Sequence, residues 1–316
     1  MMSRSLIVMA TLSASAAHAA MPLAPHQAVY NLSLASESSG IVSAEGRIAM
    51  VLKTDKCGVY DLDYRFVARF QQEEEITLTD QQTNSTENRA GTEFEFSTKT
   101  FVDGSPEKEI RGEARHDGDA TRVSMQAPVA RSFDLPRSAF PMQHTAELIA
   151  KAEAGERIVE TKLFDGDDDS EKLLTSTSII TPHVPAAPGA EAGTPAETAP
   201  STTVPGGASP GSAADASPKR APQGAGETAP DKDPAAMAET RAPASDIRQR
   251  LSGLKSWKIA ESYYNSDSDP DGMPIFQTSY VLYENGVSDD LRLDFGTYVF
   301  TGSLSQLDLF DATRCE

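Results

Sequence analysis

Cysteine is almost absent: the 316 residues hold two, Cys57 and Cys315. Two thiols that far apart exclude a four-cysteine zinc ribbon and the close spacing of a redox motif. Tryptophan occurs once and histidine five times, which thins the supply of metal ligands and general bases. Outside the first nineteen residues and a biased central segment, the histidines are His26, His116 and His144. Beyond a short apolar run near the start, no stretch is long enough to cross a bilayer as a helix, so a membrane-spanning chain is not expected. Positive charge is scarce too: 28 Lys and Arg stand against 47 Asp and Glu, for a net charge of −19. That balance speaks against nucleic acid as a partner and against simple electrostatic adhesion to anionic headgroups. Phosphate-cradling loops, H-E-x-x-H and a nucleophile-elbow serine are all missing.

What is present begins with a leader. Arg4 precedes the apolar stretch Leu6 to Leu12, and Ala17-His18-Ala19 has the form of a cleavage box. Residues 1–19 therefore read as a secretory signal peptide, and the remainder as an exported chain, most simply in the bacterial periplasm. No cysteine follows the box, which argues against a lipid anchor on a new N-terminus. In an oxidising compartment two cysteines read as one disulfide, Cys57 to Cys315, closing nearly all of the exported chain. Closing so long a loop is worth roughly 5 kcal/mol in the chain-entropy picture. The alternative is a pair of unbonded buried thiols.

Residues 182–246 hold 12 of the 20 prolines and no Phe, Tyr or Trp. Such a segment cannot bury enough apolar surface to offset its chain entropy, and it is expected to be disordered. The flanking pieces, 20–181 and 247–316, are either two domains on a linker or one discontinuous domain. The expected disulfide favours one domain with an insertion in a surface loop, since closure entropy grows slowly with loop length. A spacer reaching toward the cell wall is a functional alternative for the insertion.

The flanking pieces alternate apolar and polar residues with the period of a half-buried strand. His26 to Leu34 is the clearest case, with Ala28, Tyr30, Leu32 and Leu34 on one side. The pattern continues over Ile41 to Leu52, Tyr60 to Phe70, Glu74 to Thr83, Thr92 to Phe101 and Lys108 to Arg115. After the biased segment it returns over Leu254 to Tyr264, Phe276 to Tyr283, Val287 to Phe295 and Tyr298 to Phe310. Glu284-Asn285-Gly286-Val287 between two of these runs predicts a two-residue type I′ hairpin. One segment differs: Pro141, Met142, Leu148, Ile149 and Ala152 before Gly155 predict a helix of about three turns. The expected fold is mainly β, a large curved antiparallel sheet. It forms a closed barrel or an open β-spiral, is closed by the disulfide and carries one helix as core filler.

Candidate chemistry is sparse. His144 on the helix is a candidate base, but a helix-surface or core-edge histidine satisfied by a hydrogen bond explains it better. Asp267-Ser268-Asp269-Pro270-Asp271-Gly272 matches the opening of a calcium loop, making Asp267, Asp269 and Asp271 candidate ligands. Thr278 stands where an EF-hand needs its bidentate Glu, and an acidic solvated hairpin tip accounts for the run equally well. Asp165-Gly166-Asp167-Asp168-Asp169 reads as another charged turn. Paired carboxylates of glycosidase type stay open, because sequence does not measure their separation. No cofactor is expected.

The order of landmarks resembles the EipB family of alphaproteobacterial envelope-integrity proteins. The likeness rests on Leu23 to Tyr30 and on Gly46-Arg47, Cys57-Gly58 and Leu135-Pro136. It extends through Phe140-Pro141, His144, Phe164-Asp165-Gly166, Glu284 to Val287, Leu291, Leu293, Gly302 and Cys315. The resemblance implies a periplasmic β-spiral closed by one disulfide between Cys57 and Cys315. It implies a non-catalytic role in envelope integrity and outer-membrane homeostasis under stress, with a tetratricopeptide-repeat protein as a partner. The shape it implies is similar to that of periplasmic lipoprotein carriers, so a lipid or lipoprotein chaperone is the second reading. An enzyme acting on the cell wall is the third, without a motif to support it.

Overall fold

The computed structural model describes residues 23–35, 40–166, 174–184, 244–265 and 272–314. The first eight strands follow one another through hairpins: β1 His26–Leu34, β2 Ser43–Thr54, β3 Tyr60–Gln71, β4 Ile76–Glu87, β5 Glu93–Val102, β6 Ser105–Asp117, β7 Ala120–Ala127 and β8 Arg131–Pro136. Helix α1, Pro141–Glu153, interrupts them. Strands β9 Ile158–Leu163 and β10 Leu174–Pro182 come next, then helix α2 Ala244–Leu251. The last four strands are β11 Ser256–Asn265, β12 Phe276–Tyr283, β13 Ser288–Asp294 and β14 Val299–Leu309. All fourteen belong to one antiparallel sheet in the order β8-β7-β6-β5-β4-β3-β2-β1-β14-β13-β12-β11-β10-β9. At its centre the first strand, β1, pairs with the last, β14. Strands β10 and β11 pair directly from either side of the biased segment. The sheet is open, but its edges meet at one parallel bridge between Ala139 and Leu163. There the Ala139 amide donates to Lys162 O (2.8 Å) and the Phe164 amide to Ala139 O (3.0 Å).

The mainly β curved sheet expected from the alternation is what forms, and β1 and β12 have the expected bounds. Four strands escaped the pattern: β7, β8, β9 and β10. Strand β10 shows why, since its buried face carries two serines, Ser176 and Ser178, before a single apolar residue, Ile180. A second helix, α2, corrects the expectation of one. It begins at Ala244, inside the segment read as insertion, just as β10 runs through Pro182. Ile247 and Leu251 of α2 are buried in the core. The hairpin at Asn285-Gly286 is also corrected. Tyr283 N donates to Val287 O and Gly286 N to Tyr283 O, each at 2.9 Å, so the loop has three residues. Only Gly286 has positive φ (89°), which gives a turn followed by a left-handed glycine rather than type I′. The expected leader, most of residues 182–246, Cys315 and the candidate calcium ligands Asp267, Asp269 and Asp271 lie outside the described residues.

One face of the sheet carries the core. On β1 it presents His26, Ala28, Tyr30 and Leu32, all buried. Leu32 lies opposite Gly46 on β2 and Gly302 on β14. A Cβ on Gly302 would stand 2.5 Å from Leu32 Cδ2, and one on Gly46 2.9 Å from Val67 O. The two glycines leave room for Leu32 where three strands curve together. Helix α1 lies on this face, burying Leu148, Ile149 and Ala152 against Leu52, Val159, Ile180, Trp257, Ile259 and Leu282. Fully burying one such leucine or isoleucine is worth about 1.5–3 kcal/mol, which makes the helix part of the core rather than an ornament on it. Phe94, Phe96, Phe140 and Phe164 form a further cluster where the sheet edges meet.

The start of α1 is held from a distance. Pro141 occupies the first turn and no side chain of the helix caps it. Instead Glu87, at the end of β4, accepts from the amides of Met142 and Gln143, each at 2.8 Å. At the far end of the chain, Asp55 bridges Thr313. The Lys56 amide donates to Thr313 O (2.8 Å) and the Thr313 amide to Thr54 O (3.0 Å). Cys57 sits in the exposed turn beside this bridge.

Candidate functional site

The most concentrated chemistry among the described residues lies beneath α1, around Glu261 of β11. Strand parity turns Glu261 to the core face with Trp257 and Ile259, and its residue is 3% exposed. Its Oε1 accepts from Ser178 Oγ (2.8 Å), Ser176 Oγ (2.9 Å) and His144 Nε2 (2.9 Å). Its Oε2 accepts from the hydroxyls of Tyr280 (2.6 Å) and Tyr263 (3.1 Å). Five donors from one helix and three neighbouring strands thus converge on one carboxylate. Burial pushes this carboxyl upward, but the hydrogen bond and charge of His144, with Tyr280 and Ser178, outweigh it and hold the group at about 2. Burial, with the Glu261 charge beside them, drives both tyrosines well above their ordinary value. Two buried atoms nearby have no hydrogen-bond partner among the described residues, His144 Nδ1 and Thr161 Oγ1. Thr161 pairs with Ser176 across β9 and β10, so both vacancies border the same cluster. Glu87 contrasts with Glu261: burial lifts its carboxyl to about 7 despite the two amides it accepts from.

Away from α1 the same face opens. Leu148, Ile149 and Ala152 of the helix are buried, whereas Tyr64, Phe66, Phe70, Leu291, Leu293 and Tyr298, packed against the cluster that α2 enters, point the same way and keep some accessible surface. Strand β4 faces them with Thr77, Thr79, Gln81, Thr83 and Ser85, also half-buried. The interior is therefore packed tightly beneath α1, and away from it half-buried side chains form an aromatic wall and a hydroxyl-rich wall. A chain of rings marks the open rim: Phe70–Tyr298 (5.2 Å), Tyr298–Phe295 (4.8 Å), Phe295–Phe276 (4.9 Å) and Phe276–Tyr263 (5.6 Å). It leads from β3 across the rim to Tyr263, whose hydroxyl reaches Glu261. Beside the rings, Met273 is 64% exposed, Val42 55% and Ile275 50%.

His144, expected at the helix surface or core edge with a hydrogen bond, has the hydrogen bond but lies inside the core, paired with a carboxylate 117 residues away. Nothing local in the sequence announces Glu261 or the serines, because the cluster is assembled by sheet order. His26 Nδ1 donates to Ala24 O (2.7 Å), and His116 Nε2 donates to Ser138 O (2.8 Å) while its ring stacks on Phe140. A serine–histidine contact that the sequence did not suggest joins Ser256 Oγ and His183 Nδ1 at 3.1 Å. It continues the β10–β11 ladder, and no carboxylate orients the imidazole among the described residues. No group of three potential metal ligands is found among the described residues, and none of their helices is long and apolar enough to cross a membrane.

The fold and site together define a barrel-like β protein with a helix plugging one end of its interior and a buried carboxylate beneath the plug. The pattern of the EipB-like family matches residues 17–203 and 228–311, and the chain belongs to this family. It is 30% identical over 304 residues to the cell envelope integrity protein EipB of Brucella abortus (strain 2308), covering 95% of this chain and 89% of that protein. The crystal structure of a beta-barrel-like protein of a domain of unknown function, also from Brucella abortus, superposes with a TM-score of 0.68 at 27% identity. It covers 92% of this chain and 99% of that one.

Proposed function

We propose that this chain is a non-catalytic periplasmic protein that maintains cell-envelope integrity by docking a periplasmic protein partner. The name of the Brucella relative supports the envelope role. The observation that carries the docking reading is the open rim, where Phe295, Ile275, Met273 and Val42 expose apolar surface beside the linked rings. Exposed apolar patches rimmed by polar residues mark interaction sites. The non-catalytic reading is supported by the Glu261 cluster, whose carboxylate accepts from five structural donors, and by the lack, among the described residues, of a carboxylate behind His183. The resemblance to the family suggests a tetratricopeptide-repeat protein as the partner. A photo-crosslinking residue at position 275 should yield one defined adduct in living cells, and the same residue at position 111 on the outer face should not. Equal labelling from both positions would refute the docking surface. Cys57 and Cys315 are proposed to form the closing disulfide, supported by the bridge that sets Thr313 beside Asp55.

The second reading, a lipid or lipoprotein carrier, is favoured by one observation: inward-facing aromatic residues keep accessible surface at the open end. An acyl chain would lie against Phe66, Phe70 and Tyr298. Native mass spectrometry of protein purified gently from the periplasm should then show a lipid or lipidated adduct. A clean chain mass would leave the docking reading alone.

A further inference from the structure

The outer face of β1 to β4 carries a shallow trough of about 390 Å³, lined by Asn31, Glu45, Arg47, Val67, Arg69 and Leu78. Register places Arg47 between Asn31 and Val67, and Arg69 between Glu45 and Leu78. The two arginines are diagonal neighbours on adjacent strands, a separation of roughly 7–8 Å between side-chain origins. Their guanidinium groups can therefore meet over one small anion. Arg47 is short of partners: its Nε is buried with no hydrogen-bond acceptor among the described residues. Arg69 has one loose contact, Nη1 to Glu45 Oε1 at 3.8 Å, between side chains 43% and 74% exposed. Compare Arg65 on the same face, which is fully engaged with Asp80 through Nε (2.9 Å) and Nη2 (2.7 Å). In a chain of net charge −19, acidic partners are plentiful, so an arginine left without one stands out. Leaving a buried donor unsatisfied is unfavourable.

We propose that the trough binds a single phosphoryl group, as a phosphate mono- or diester, through Arg47 and Arg69. Guanidinium donors match the geometry of phosphate oxygens and bond them in pairs. The acidic remainder of the surface repels extended polyanions, so the site takes one compact anion rather than a charged polymer. Leu78 and the neighbouring Ile76, both exposed, give the ester's organic part an apolar place to lie. The ester belongs to a soluble metabolite or to a lipid headgroup, and the binding chemistry is the same for both.

Calorimetry on the full chain at low salt, with inorganic phosphate and then glycerol 3-phosphate, tests the site. Saturable one-to-one binding is expected. It should weaken at least tenfold in Arg47→Gln and in Arg69→Gln, stay partly retained in Arg47→Lys, and be unchanged in Arg111→Gln. Melting curves check that each variant folds; if Arg47→Gln does not, Arg69→Gln and Arg47→Lys carry the test. Flotation with phosphatidylglycerol in phosphatidylcholine vesicles separates the two sources. Arg47-dependent flotation that phosphate competes away assigns a headgroup, and soluble binding without flotation assigns a free ester. No saturable binding of phosphate at millimolar concentration, or binding that both glutamine variants leave intact, overturns the proposal.

Discussion

Replacing Glu261 with glutamine removes the acceptor on which five side chains converge. The carboxyl is held at about 2 in the fold, against an ordinary value of 4.5. A group depressed in this way stabilises the fold above pH 4.5, and the contribution fades as pH falls toward 2. The difference corresponds to about 3 kcal/mol at neutral pH. Glutamine also turns an N–H₂ toward hydroxyl and imidazole donors, leaving some of them unsatisfied in the core at roughly 1–3 kcal/mol each. Partial relaxation keeps the sum near the 3–5 kcal/mol, on the order of magnitude seen when one member of a buried ion pair is removed. Urea unfolding of wild type and Glu261→Gln, followed by circular dichroism at pH 7 and pH 3, measures it. The gap should be largest at pH 7 and shrink by about 2 kcal/mol at pH 3. A gap below about 1 kcal/mol at pH 7, or one of equal size at both pH values, would show that Glu261 is not the anchor of α1.

Glu87 should act with the opposite sign. Its carboxyl is raised to about 7 from 4.5, so its contribution is fully present below pH 4.5 and is lost as pH rises through 7. Between those limits wild type should lose about 3 kcal/mol that a Glu87→Gln variant keeps, and parallel stability curves over that range would refute the burial argument. Cys315→Ser should lower the melting temperature markedly and expose the Cys57 thiol to a colorimetric reagent; an unchanged melting curve would remove the disulfide from the account. Gly302→Ala should destabilise by about 1–3 kcal/mol, because the new methyl would stand 2.5 Å from Leu32 Cδ2, on a side chain buried in the core. Combining it with Leu32→Ala should cost less than the sum of the two single changes, and strict additivity would contradict the contact.

The strands that could be read from the sequence are those whose buried face is apolar. β1 is legible because Ala28, Tyr30 and Leu32 alternate with polar neighbours, and α1 because Leu148, Ile149 and Ala152 precede a glycine with φ of 82° at position 155. Strand β10 was illegible because two of its three buried positions are serines whose partner, Glu261, lies 85 and 83 residues further along. Strand β4 was cut short at Thr83 because Asn84, Ser85 and Thr86, which continue it to Glu87, are polar on both faces and so look like loop residues. Several landmarks that carried the family likeness turn out to be packing positions: Leu23, His26, Tyr30, Leu135, Phe140 and Phe164 are buried. The site was the least legible part. His144 was visible as a residue, but its meaning depends on three strands and a helix brought together across the biased segment.

The central claim is that the chain works through its open rim. A strain lacking the protein, complemented with a Met273→Asp, Ile275→Asp double variant, tests it most directly. Both residues are largely exposed, so the variant should fold and accumulate as wild type does. The account predicts that it fails to restore resistance to detergent. Full restoration of resistance by a folded, equally abundant double variant would contradict it.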